Sequence, residues 1–114
     1  MSRDDGIRLR HMVDAAREAS SFAAGRTRGD LDTDRQLVMA LVKEIEIVGE
    51  AAARVSEATR EHLSNIPWDA LIGMRNRLVH AYFDVNPDIV WQTVQEDLPK
   101  LISLLEPIGP PDAG

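Results

Sequence analysis

Residues 37–52 read Leu37-Val38-Met39-Ala40-Leu41-Val42-Lys43-Glu44-Ile45-Glu46-Ile47-Val48-Gly49-Glu50-Ala51-Ala52. Leu37, Val38, Leu41, Val42, Ile45, Val48, Gly49 and Ala52 recur at intervals of three and four, which lays them along one stripe of an α-helix. The pattern predicts a helix from about Asp32 to Ser56, and Asp32, Thr33 and Asp34 suit the positive end of its dipole. Gly49 and the run Ala51-Ala52-Ala53 are small enough to let another helix approach closely. Ile47 lies off the stripe, so a second buried face is expected, as at a subunit contact.

The same period marks three further helices. One runs from about Asp4 to Ala24, with Leu9, Met12, Val13, Ala16, Ala19, Ser20 and Ala23 inward. Asp4 or Asp5 is its expected N-cap and Gly25 its terminator, and residues 26–31 form a polar connector. Residues 57–66 are a second connector with room for a helical turn. Pro67 then opens a helix over Trp68 to about His80 that buries Leu71, Ile72, Leu78 and Val79. Asn86-Pro87-Asp88 repeats the start signal of cap, proline and acid. The last helix covers about Pro87 to Leu105, with Val90, Trp91, Val94, Leu98, Leu101, Ile102 and Leu105 inward. Pro99 should kink or interrupt it near Gln95. No alternating apolar runs or hairpin turns occur, so the fold class is all-α, a bundle of four main helices with a broken last one.

Composition narrows the function. The 114 residues suffice for one domain, expected over 1–106, with a proline- and glycine-rich disordered tail over 107–114. Cysteine is absent, which excludes disulfides, thiolate chemistry and zinc–thiolate sites. No apolar run approaches the roughly 18 residues of a membrane span, and the N-terminus lacks a signal-peptide pattern, so a cytoplasmic protein without membrane contact is expected. The net charge of −6 argues against a general electrostatic grip on nucleic acid. Between Arg54 and His80, however, four arginines face three acidic residues, so a local basic patch is possible.

Within that patch Arg75-Asn76-Arg77-Leu78-Val79-His80-Ala81-Tyr82 gathers two guanidinium groups, an amide, an imidazole and the only tyrosine. A cation that holds phosphate beside the side chain that titrates near neutral pH is a minimal kit for phosphodiester cleavage. An arginine followed by a histidine after a gap of four to six residues is expected roughly once by chance in this composition. Requiring a gap of four, Asn after Arg and Tyr two beyond His lowers that expectation to about 10⁻⁴ to 10⁻³. His11 and His62 read as solvated, and no Glu-x-x-His pattern suggests a metal site. No Walker loop or dinucleotide fingerprint is present. Read alone, His80 also suits a helix end, Arg77 a surface ion pair and Tyr82 a half-buried core position. Trp68 and Trp91 suit core or interface packing. The charged run from Asp30 to Arg35 suits a solvated helix start or a partner surface.

The extended pattern resembles the signature of the HEPN superfamily and, within it, the HepT-like toxins of toxin–antitoxin pairs. The similarity spans nearly the whole chain. It takes in Asp30 to Arg35, Gly49-Glu50-Ala51-Ala52, Ile66-Pro67-Trp68, Gly73 to Phe83 and Val90-Trp91-Gln92-Thr93-Val94, with no departure at the family's functional positions. The resemblance implies an up-and-down HEPN-like bundle. It also implies a metal-independent, cofactor-free endoribonuclease whose active site lies at a homodimer interface, the toxin of a type II or VII-like pair. Arg75 and His80 would match the catalytic pair, and Asn76 the polar residue after the arginine. Tyr82 would match the tyrosine that a cognate minimal nucleotidyltransferase antitoxin adenylylates. Arg77 is a further candidate for binding RNA.

At 100° per residue, Arg75 and His80 stand about 140° apart on a straight helix, whereas Asn76 is about 40° and Arg77 about 60° from His80. Arg75 can join His80 if the helix loosens before Ala81, or if two copies meet about a twofold axis. The dimer is the favoured solution. The competing reading is a non-catalytic module that scaffolds or regulates a nucleotidyltransferase or binds a nucleotide, and the acidic net charge leans toward it.

Overall fold

Ser2 sets the start of the first helix. Its hydroxyl accepts the Asp5 N–H at 3.1 Å and caps α1 (Arg3–Ala23), which ends where Gly25 takes φ +74°, a backbone region that favours glycine. The cap is therefore not Asp4 or Asp5, because Asp5 is used elsewhere. Only 4% exposed, Asp5 accepts from the Ser56 hydroxyl at 2.6 Å, the Thr59 hydroxyl at 2.6 Å and the Ser56 N–H at 2.9 Å. These donors, the Ser56 hydroxyl foremost, hold its pKa down to about 2. The beginning of α1 is thereby fastened to the turn after the central helix.

The computed structural model describes residues 1–78 and 84–108, at Arg75 the backbone alone. Six further helices follow α1 up to the last break: α2 (Asp30–Thr33), α3 (Arg35–Arg54), α4 (Glu57–His62), α5 (Trp68–Ile72), α6 (Met74–Leu78) and α7 (Pro87–Gln92). A wide π turn over Thr93–Asp97 then leads into α8 (Leu98–Leu105), and a 3₁₀ turn over Glu106–Ile108 follows. The described residues make an all-α bundle in which α1 lies along α3, α8 packs on α1, and α5, α6 and α7 pack on α3. None of its helices is long and apolar enough to cross a membrane.

All eight stripe residues of α3 are buried. The helix begins later than expected because Asp34 accepts the Leu37 N–H at 3.0 Å and is its cap. Residues 30–33 make a separate turn that buries Leu31. The acidic run there is not free surface: Arg26 pairs with Asp30 and Asp34, and Arg28 pairs with Asp32 and, on α7, Asp88. Such exposed pairs stabilise little, because water and salt screen them. Ile47, off the stripe, is half-buried against the same core. The connector over 57–66 contains α4, and Arg60 from it donates to the carbonyls of Ala52, Ala53 and Val55, closing the end of α3.

The last helix breaks as Pro99 dictates. Proline lacks the N–H that would bond Gln95, and its ring collides with that carbonyl in a regular helix. The turn widens just before it, with the Leu98 N–H donating to Thr93, five residues back. Pro107 and Ile108, assigned by sequence to the tail, belong to the 3₁₀ turn, and Ile108 packs against the core. Residues 109–114 of the expected tail lie outside the described residues.

One buried acid opposes this fold. Glu44 on α3 is 7% exposed, and burial, with the neighbouring Glu18 carboxyl on α1, raises its pKa to about 7. A raised acid holds its proton in the folded state after the unfolded chain, with a value near 4.5, has lost it. Stability therefore falls as pH rises from about 4.5 to about 7 and levels off above. Glu44→Gln should remove that decline and raise stability at pH 8 by about 1–2 kcal/mol, allowing for solvent screening. Thermal unfolding followed across pH 5–8 for both proteins checks it, and parallel curves would refute it.

Candidate functional site

The site segment rests on a close helix contact. α5 crosses α3 at Gly49, where an added Cβ would stand 3.1 Å from the Leu71 carbonyl and 3.7 Å from that of Ile72. Trp68, buried at the start of α5, donates its indole N–H to the Leu63 carbonyl at 3.1 Å. The helix expected to run unbroken from Trp68 is jogged at Gly73, which donates to the Asp69 carbonyl and accepts the Asn76 N–H. The chain resumes as α6.

α6 is short and held at both ends. Met74 is 2% exposed and Leu78 0%, one turn apart on the same face, while Asn76 and Arg77 between them are exposed. Arg75 lies on this helix with them. His80, Tyr82 and the expected buried Val79 lie outside the described residues, so the structure brings Arg75, Asn76 and Arg77 onto one helix and leaves the remaining candidates unplaced. Among the described residues no three His, Asp or Glu side chains converge as a metal site requires.

What lies beyond Leu78 is closed by Asn86. Its backbone N–H donates to the Leu78 carbonyl at 2.8 Å, while its side-chain oxygen accepts from the N–H groups of Asp88 (3.0 Å) and Ile89 (3.3 Å). One residue thus joins the two ends of the 79–85 segment and caps α7. Its capping role is readable from Asn86-Pro87-Asp88; the clasp is not, because it joins positions eight apart. Asn86→Ala should cost about 1 kcal/mol through the lost cap, lowering Tm by a few degrees. An unchanged Tm in calorimetry would count against that role.

A second feature on α6 carries no signal in the sequence. Between α5–α6 and the π turn with α8 lies a cleft of about 250 Å³ lined by Leu71, Met74, Arg77, Lys100, Leu101 and Leu104, with Asp97 beside them. Arg77 and Lys100 make no ion pair or hydrogen bond among the described residues.

The family described as Ribonuclease HepT-like matches residues 12–108 of the chain. The chain belongs to this family. Among relatives of this HepT-like protein, “Probable ribonuclease HepT” of Thermococcus cleftensis is 31% identical over 101 residues, covering 89% of this chain and 92% of its own. “Putative RNase TTE0752” of Caldanaerobacter subterraneus subsp. tengcongensis is 34% identical over 93 residues, 82% of this chain and 83% of its own. “Putative RNase MJ1380” of Methanocaldococcus jannaschii is 29% identical over 99 residues, 87% of this chain and 91% of its own. No solved structure matches the chain. In this HepT-like protein, the helix that carries Arg75, Asn76 and Arg77 is thus seated on the core by Met74 and Leu78 and oriented through Gly49.

Proposed function

We propose that this HepT-like protein is a cytoplasmic, metal-independent endoribonuclease, the toxin of a type II or VII-like toxin–antitoxin pair, with a composite active site at a homodimer interface. The observation that carries the reading is α6. A five-residue helix with two arginines and an asparagine is anchored by buried Met74 and Leu78, directly before His80 in the chain, in a protein of a ribonuclease family. Rigid seating of phosphate-binding groups is what in-line phosphoryl chemistry asks of a protein.

In this reading a ribose 2′-hydroxyl attacks the adjacent phosphorus and the 5′-oxygen leaves. His80 takes the hydroxyl proton or, from the second subunit, protonates the leaving oxygen, and water serves at the other position. Arg75 neutralises charge on the non-bridging oxygens, and Asn76 braces the substrate or the imidazole. The products are a 2′,3′-cyclic phosphate and a 5′-hydroxyl. Incubation of the purified chain with RNA in a chelator should yield these ends, and intact RNA or metal-dependent cleavage would overturn the reading.

Control falls to Tyr82. Addition of AMP by a partner nucleotidyltransferase places bulk and negative charge two residues from His80, which repels RNA phosphate. With that enzyme and ATP the intact mass should rise by one AMP, and Tyr82→Phe should not gain it. An unmodified wild-type mass would remove this step. The net charge of −6 favours a second reading, a non-catalytic partner subunit of a nucleotidyltransferase. Induced expression of the chain alone separates them: growth arrest belongs to the toxin, unaffected growth to the module.

A further inference from the structure

The cleft between α5–α6 and α8 combines features that the catalytic segment does not need. Its floor is apolar, with Leu71, Met74 and Leu101 buried and Leu104 half-buried. At its edges stand Arg77 and Lys100, both exposed and both without an ion pair or hydrogen bond among the described residues. Asp97 lines the cleft as well, and two cations against one carboxylate leave it a net positive charge on a chain of net −6. At about 250 Å³ the cleft sits near the lower end of ligand sites, roughly 300 Å³. The space admits a base, with sugar and phosphate toward the rim.

We propose that this cleft is an RNA subsite, taking a nucleotide that flanks the scissile phosphate; the proposal rests on the ribonuclease reading above. The base lies on the leucine floor, where the Met74 thioether contacts its ring, and Asp97 accepts a base N–H. Arg77 and Lys100 hold the adjoining phosphate. The position fits a strand that crosses α6. Arg75 and Arg77 are separated by about 200° around the helix axis, so a cleft beside Arg77 lies on a different flank from Arg75. With side chains a helix is only about 10 Å across, a width a few nucleotides cover. Two weak sites on opposite flanks align an RNA strand over the helix where one basic spot on an acidic protein would hold it loosely.

The test is binding of a labelled single-stranded RNA oligonucleotide to the full chain carrying His80→Ala, read by fluorescence anisotropy across a salt series. Adding Arg77→Ala or Lys100→Ala should weaken binding several-fold and lessen the slope of log affinity against log salt by about 0.7 each. Leu104→Glu, which puts a carboxylate on the floor, should weaken it further. Tm should hold in the two cation variants, since neither side chain is bonded to a described residue. If the His80→Ala protein binds RNA and the added substitutions change neither affinity nor slope, the subsite is overturned while the ribonuclease reading stands. If the His80→Ala protein binds no RNA, both fall. Loss of nucleotidyltransferase binding in Lys100→Glu, with RNA binding intact, would make the cleft a protein-docking surface and overturn the proposal.

Discussion

His80→Ala is expected to lower RNA cleavage by about 10²- to 10⁴-fold, the usual contribution of a positioned general acid–base. Circular dichroism and Tm should be unchanged if the imidazole serves the chemistry and not the packing. Arg75→Ala should fall comparably through lost charge stabilisation. Mixing the two inactive proteins then tests the shared site. If Arg75 of one subunit works with His80 of the other, a randomly mixed dimer population regains about a quarter of wild-type activity, since half of the dimers are mixed and each keeps one intact pair. A mixture that stays inactive would refute pairing across the subunits, and full activity in His80→Ala itself would end the catalytic assignment.

Gly49→Val should give the largest loss of stability. A Cβ there already meets the Leu71 carbonyl at 3.1 Å, so one methyl requires a shift of a few tenths of an ångström and two more carbons require α5 to move away from α3. Overpacking of this kind costs about 3 kcal/mol, or roughly 10 °C in Tm for a chain of this size. Gly49→Ala is the control. Alanine gains about 1 kcal/mol of helix propensity, which offsets the tight contact and leaves the variant near wild type. Because α5 leads through Gly73 into α6, cleavage should fall with stability in the valine variant. Equal unfolding curves for Gly49→Val and wild type would show that α5 does not rest on α3 as described.

The elements most legible in the sequence were those whose cause is local. The stripe of α3, the break before Pro99, the Asn86 cap and the close approach at Gly49 each follow from residue type and spacing, and each is present. What escaped depends on partners distant in the chain. Asp5 looks like a cap until Ser56 and Thr59, more than fifty positions away, claim its carboxylate. The jog at Gly73 looks like helix interior, since nothing in its neighbours shows α5 pressed against α3. The family was legible from Arg75 to Tyr82. The cleft was not, because Arg77 and Lys100, twenty-three positions apart, come to line one space only through the tertiary fold.

The clasp between Leu78 and Asn86 has a consequence for how such a protein is switched. The backbone hydrogen bond from the Asn86 N–H to the Leu78 carbonyl ties the start of α7 to the end of α6 without using any side chain of the residues between them. If Tyr82 is modified as proposed, that tie is expected to survive, with α6 and α7 still joined in the silenced protein. Such an off state would be a folded one, rather than one reached through unfolding and disposal.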